Sequence, residues 1–146
     1  IMRATYLDAP MREALAEERQ RLVNPDPANH QAFTERMAAD QAAYHDIVFS
    51  ASSPLPAART FGETDASWMI WLEADGTREA LVRIEHIRRP SPLHRELYAH
   101  LNLWSELWIA RFTRTVHEPD SLTLHVGSGY GNGDLTWKGL RRHRAE

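Results

Sequence analysis

The 146-residue chain contains no cysteine. That excludes a disulfide framework, a thiol nucleophile and a thiolate-held metal, and it fits a reducing compartment such as the cytoplasm. Lysine is nearly absent as well. Of 17 basic residues only Lys138 is lysine, which reads as a genomic preference for arginine codons. No apolar run approaches the roughly 20 residues of a membrane span, and no secretory signal pattern opens the chain. Ile1 precedes Met2, and Met2 is the expected natural start. A formal charge of −3 is too small to demand nucleic acid or an anionic membrane as partner. The signatures G-x-S-x-G, H-E-x-x-H and H-x-H are missing, as are a P-loop and a dinucleotide fingerprint. Nothing in the sequence supports catalysis, so the chain is expected to be non-enzymatic, without cofactor or metal.

What is there describes an ordinary folded domain. Hydrophobic content of 42% and charged content of 25% suit one globular unit with a real core, here expected to span residues 1–146. The first 44 or so residues read as a helical pair. Asp8 can cap a segment in which Met11, Ala14, Leu15 and Leu22 recur at helical spacing. "NPDP" (Asn24 to Pro27) stops it, and a second helix starts near Ala28 with Phe33, Met37, Ala38 and Tyr44 along one side. From about residue 45 the pattern changes. "DIVFSAS" (Asp46 to Ser52) is apolar and β-branched, and "SSPLP" breaks it.

The strongest local signal is "SWMIWLEADGTREALVRIEHI" (Ser67 to Ile87). Asp75-Gly76 is a preferred type I′ pair between two β-rich runs, so Ala74 should face Thr77. One face then carries Trp68, Ile70, Leu72 and Leu81, and the other Met69, Trp71, Ala80, Val82 and Ile84. Both faces are apolar, which predicts a hairpin covered on both sides. Ser91-Pro92 is a strong helix start, followed by the stripe Leu93, Leu97, Leu101 and Trp104. At Trp108 the apolar period falls from 3.6 to 2. The spacing predicts helix from Pro92 to about Glu106 and strand from about Trp108 to Val116. Downstream "SLTLHV" alternates, and matching the apolar faces sets Val116 opposite Leu122 in a second hairpin closed by Glu118, Pro119 and Asp120.

Several stretches invite chemistry and fail on spacing. "GSGYGNGD" (Gly127 to Asp134) lacks the Lys-Ser/Thr of a P-loop, and Asn132-Gly133 reads as a hairpin turn before the return strand "DLTWKGL". In the second hairpin, His117 and His125 would lie about 13 Å apart, too far to share an ion. Glu13, Glu17 and Glu18 could hold magnesium in an all-helical pyrophosphohydrolase, but they alternate with Arg12, Arg19 and Arg21 as on a solvated face. The basic "KGLRRHR" after Trp137 could contact nucleic acid, although a short basic tail on a net-acidic chain reads first as a solvated terminus.

From about residue 30 the order is helix, strand, hairpin, helix, hairpin. It resembles the YbjN family of bacterial proteins, whose fold is that of the type III secretion chaperones. The residues carrying the resemblance are "LYAHLNLWSELWIARFTRTVHEPDSLTLHV", with Asn102 in the second half of its helix, and "WMIWLEADGTREALVRI". The likeness covers roughly residues 45–127. The helical pair at the start and the Gly-rich hairpin near the end depart from the family. The resemblance implies a non-enzymatic α+β homodimer that binds other polypeptides in a chaperone-like or regulatory way. With the chain's own N-terminal helices, the expected fold is α+β with an antiparallel sheet of about five strands and a central helix, type III secretion chaperone-like, in a cytoplasmic protein without nucleic acid or membrane as partner. The residues expected to interact are those of the two hairpin faces: Trp68, Ile70 and Leu72, or Met69, Trp71 and Val82. The alternative is a nuclear-transport-factor-2-like protein that binds a small ligand or acts as an enzyme.

Overall fold

A computed structural model describes residues 1–54, 60–61 and 66–142. Part of the "SSPLP" break and His143 and Arg144 of the basic tail lie outside the described residues. The described chain is α+β, with three helices and eight strands. The strands are β1 (Met2–Tyr6), β2 (Tyr44–Ala51), β3 (Trp68–Ala74), β4 (Thr77–Glu79), β5 (Leu81–Ile87), β6 (Glu106–Thr113), β7 (Ser121–Ser128) and β8 (Gly131–Lys138). The helices are α1 (Ala9–Val23), α2 (Pro27–Ala43) and α3 (Pro92–Leu97).

The expected single sheet of about five strands is corrected to two antiparallel four-stranded sheets, ordered β1-β2-β6-β5 and β4-β3-β7-β8. The cause sits after the Asp75-Gly76 turn. That turn is type I′ as expected, with φ of 47° and 80°, and Ala74 faces Thr77. The return strand, however, follows β3 only as far as Glu79. At Ala80, whose carbonyl accepts from the Thr113 amide at 2.9 Å, the chain crosses to the other sheet, and from Leu81 it runs beside β6 as β5, with a register shift between Leu81 and Arg83. Bulges are a common means of turning such a corner. β6 and β7 are likewise split between the sheets, with β7 pairing with β3 and β8. The expected hairpin of Val116 opposite Leu122 is therefore not formed.

The inner faces of the two sheets pack on each other. Ile47, Phe49, Trp108 and Phe112 from one meet Ile70, Leu72, Leu122 and Leu124 from the other. A second cluster lies on the opposite side of the first sheet, where Val48 and Leu107 meet Leu15 of α1 together with Tyr98 and Leu101. This layering explains why "DIVFS" has no polar face: strand β2 is buried on both sides.

The helical pair forms where expected. Asp8 caps α1, Asn24 takes the left-handed conformation that ends it, and Asp26 caps α2. β1 was not anticipated. Its five residues pair in register with β2, from Met2↔Ala51 to Tyr6↔Ile47. Helix α2 has no buried residue and is held by charge. Arg111 bridges Asp40 at 2.8 Å and Asp46 at 2.7 Å, while the buried Arg12 reaches Asp46 at 2.8 Å and Gln41 at 2.9 Å.

Helix α3 starts at the expected Ser91 cap but ends at Leu97, well short of Glu106. Beyond it Tyr98 and Leu101 are buried in the second cluster, while Leu103 and Trp104 are exposed. The strand that follows begins at Glu106, close to the expected change of period.

Candidate interaction site

Between the buried anchors Leu101 and Leu107 the chain makes a tight turn at Asn102–Ser105. Asn and Ser favour such turns because their side chains bond nearby backbone. Here the Trp104 amide donates to Asn102 Oδ1 at 2.8 Å, and the Asn102 amide donates to Ser105 Oγ at 2.9 Å. The Ser105 amide closes the turn onto Asn102 O at 3.3 Å. The two residues at the tip are apolar and point outward: Leu103 is 76% exposed and Trp104 84%. The expected helical stripe placed Trp104 in the core, and the structure corrects this. The "N-L-W-S" spacing, with turn formers on either side of the pair, was the available signal.

A groove of about 550 Å³ runs beside the tip, lined by Ile1, Ser52, Ser53, Pro54 and Glu106. It shares Ile1 and Ser52 to Pro54 with a second cleft of about 380 Å³. This cleft opens where the sheets splay, between β1 and β8, and is lined by Met2, Ala51, Phe61, Trp68, Val126 and Leu135. Its aromatic wall is continuous. Trp68 stacks on Phe61 at 6.2 Å and sits 6.5 Å from Tyr130, while Phe61 meets Trp108 edge-on at 5.3 Å. Asn132, Gly133 and Asp134 border it on the β8 side, with the Asp134 carboxylate turned to His125 on the outer face.

The expected interaction residues are dispersed. Ile70 and Leu72 face the other sheet and belong to the core. Trp68 is half-buried in the cleft wall. Met69 and Trp71 share the outer face of the second sheet, where Met69 is 66% exposed and Trp71 lies over Gly127. Val82 is on β5 in the first sheet, so the structure does not bring it to Met69 and Trp71. The hairpin's apolar residues are thus divided between sheets, and the outer face of the second sheet is not covered by the described chain.

The polar clusters are arranged for structure. On that outer face His125 stacks on Trp71 at 5.1 Å and bonds Asp134 at 2.7 Å, with Glu73 at 3.3 Å from its other nitrogen. In the interior, Glu79 sits at the crossing between the sheets. Its carboxylate accepts from the Val116 amide at 2.8 Å, the Thr115 amide at 3.0 Å, and the Thr113 and Thr115 hydroxyls at 2.8 Å each. Burial pushes its pKa up, but these bonds outweigh burial and hold it below the ordinary carboxylate value.

His45, fully buried, accepts from the Tyr6 hydroxyl at 3.0 Å and donates to Val116 O at 3.1 Å, which fixes the neutral tautomer with hydrogen on Nε2. Burial first, and then the Arg114 charge, push its pKa down to about 4. Among the described residues no group of His, Asp and Glu is arranged to hold a metal ion. No helix there is long and apolar enough to cross a membrane.

No protein-family model matches the chain. No curated protein matches it.

Proposed function

We propose that this is a non-enzymatic, cytoplasmic protein that binds other polypeptides in a chaperone-like or regulatory way, as a homodimer, and docks them on the Leu103–Trp104 turn and the groove beside it. One observation carries the reading. Two adjacent large apolar side chains are held in water by a turn that the chain's own hydrogen bonds fix in place. Exposed apolar patches of this kind mark interaction sites. A rigid tip also loses little conformational freedom when it binds. Burying a tryptophan removes on the order of 150–250 Å² from water, enough at about 25 cal/mol per Å² to make Trp104 an energetic hot spot. The resemblance to the YbjN family and the type III secretion chaperones points to the same kind of activity.

The test compares wild type with Leu103→Ser/Trp104→Ser in affinity capture from the native cell, read by mass spectrometry. A polypeptide enriched by wild type and lost with the double variant supports the reading, provided both proteins melt alike. Equal capture by both contradicts it.

The cleft between β1 and β8 favours a second reading, a nuclear-transport-factor-2-like small-ligand protein. Its aromatic wall suits a small, mostly apolar molecule. A ligand that co-purifies and is lost on Val126→Trp would support that reading.

A further inference from the structure

Each sheet has two edges, and three of the four are blunted. β4 is three residues long and β1 five. β5 carries the register shift at Leu81/Arg83 and the charges of Arg83 and Glu85. Short strands, bulges and charges are the usual protections against edge-to-edge pairing. β8 has two charges, Asp134 and Lys138, but neither the shortness nor the register shift of the other edges. It runs eight residues, pairs with β7 without interruption from Gly131 to Lys138, contains no proline, and has no strand on its other side among the described residues.

We infer that β8 is the surface through which two copies of this chain associate, antiparallel, to form one continuous eight-stranded sheet. The inference rests on the homodimer in the proposed function and specifies its interface. A two-fold axis perpendicular to the sheet keeps each face continuous, so residues pair only with partners of the same face. Asp134, Thr136 and Lys138 lie on the outer face, opposite His125, Thr123 and Ser121 of β7, while Leu135 and Trp137 lie on the inner face.

Pairing centred on Thr136 joins residues 134–138 of the two copies and matches their side chains. Asp134 meets the partner's Lys138 twice, Leu135 meets the partner's Trp137 twice, and Thr136 meets its own copy. Opposite charges and aromatic–aliphatic pairs directly across strands stabilise a sheet. Centring on Asp134 would set that carboxylate against itself, and centring on Leu135 would leave Lys138 opposite Asn132. The two charges are also available. Lys138 makes no ion pair among the described residues, and Asp134 uses Oδ1 on His125, leaving Oδ2 unbonded there.

Sedimentation equilibrium over the micromolar range tests this with charge reversals. Asp134→Lys and Lys138→Asp each set like charges against each other and should weaken the dimer about tenfold or more. Mixing the two single variants restores opposite charges at both positions, and so does combining them in one chain, so both should dimerise like wild type. That recovery also shows that the variants are folded. A wild-type dimer whose affinity neither single variant changes would overturn the β8 interface and leave the homodimer standing. A wild type that stays monomeric throughout would overturn both. Single variants that weaken the dimer but do not associate when mixed would overturn the register.

Discussion

His45 makes the pH dependence of folding a quantitative expectation. In the native protein it is buried without charge, with both nitrogens engaged by Tyr6 and Val116, and its pKa is about 4 against an ordinary 6.5. In the unfolded chain it regains the ordinary value and binds a proton throughout that window. The unfolded state therefore holds more protons, and stability falls as pH falls from 6.5 toward 4, then flattens for this group. At about 1.4 kcal/mol per pH unit the loss is about 3 kcal/mol, a large share of a domain's total stability. The perturbation is His45→Gln, which can still accept from Tyr6 and donate to Val116 O but does not titrate. Urea unfolding of both proteins at pH 7.5, 6.5, 5.5 and 4.5 supplies the comparison, because other titrating groups cancel in the difference. The two stabilities should converge as pH falls, with the variant's curve flatter by most of that amount. Parallel curves would refute the reasoning and mean that the His45 site accommodates charge.

Asp46 stands between Arg12 and Arg111, so Asp46→Ala leaves the buried Arg12 without its carboxylate and Arg111 with Asp40 alone. We expect a loss of about 3–5 kcal/mol in urea titrations and early loosening of α2 in hydrogen exchange. Glu79→Ala removes the carboxylate that accepts from the Thr115 and Val116 amides, and its cost should also be about 3–5 kcal/mol. Because the Glu79 carboxyl is held low, its stabilisation should persist above pH of about 4.3 and fade only as pH drops through its native pKa. Leu103→Ser/Trp104→Ser should change the unfolding free energy by less than about 0.5 kcal/mol, since both side chains are largely exposed.

Much of the local structure was legible because its causes are local. Asp8, Asn24-Pro25 and Asp26-Pro27 mark helix ends through caps and backbone limits, and Asp75-Gly76 sets its own register. What remained hidden depends on partners far along the chain. β7 pairs with β3, some fifty residues earlier, and alternation in "SLTLHV" cannot say which strand lies beside it. The crossing at Ala80 leaves every residue around it β-like while moving the chain to another sheet. In the Gly-rich stretch the turn falls at Gly129-Tyr130, and Asn132-Gly133 lies inside β8. There the Tyr130 amide donates to Ser128 Oγ at 2.9 Å, a local bond that competes with the Asn-Gly signal. Trp104 was misplaced for a related reason. Helical spacing treats every apolar residue as core, and only the flanking Asn102 and Ser105 show that this one belongs to a turn.

The most direct test of the account is site-specific photo-crosslinking in the native cell. A benzophenone side chain replaces Trp104 in one protein and the exposed Gln31 of α2 in another. The account predicts a defined polypeptide adduct from position 104 that is absent from position 31. No adduct at 104, or the same adducts from both positions, would contradict it.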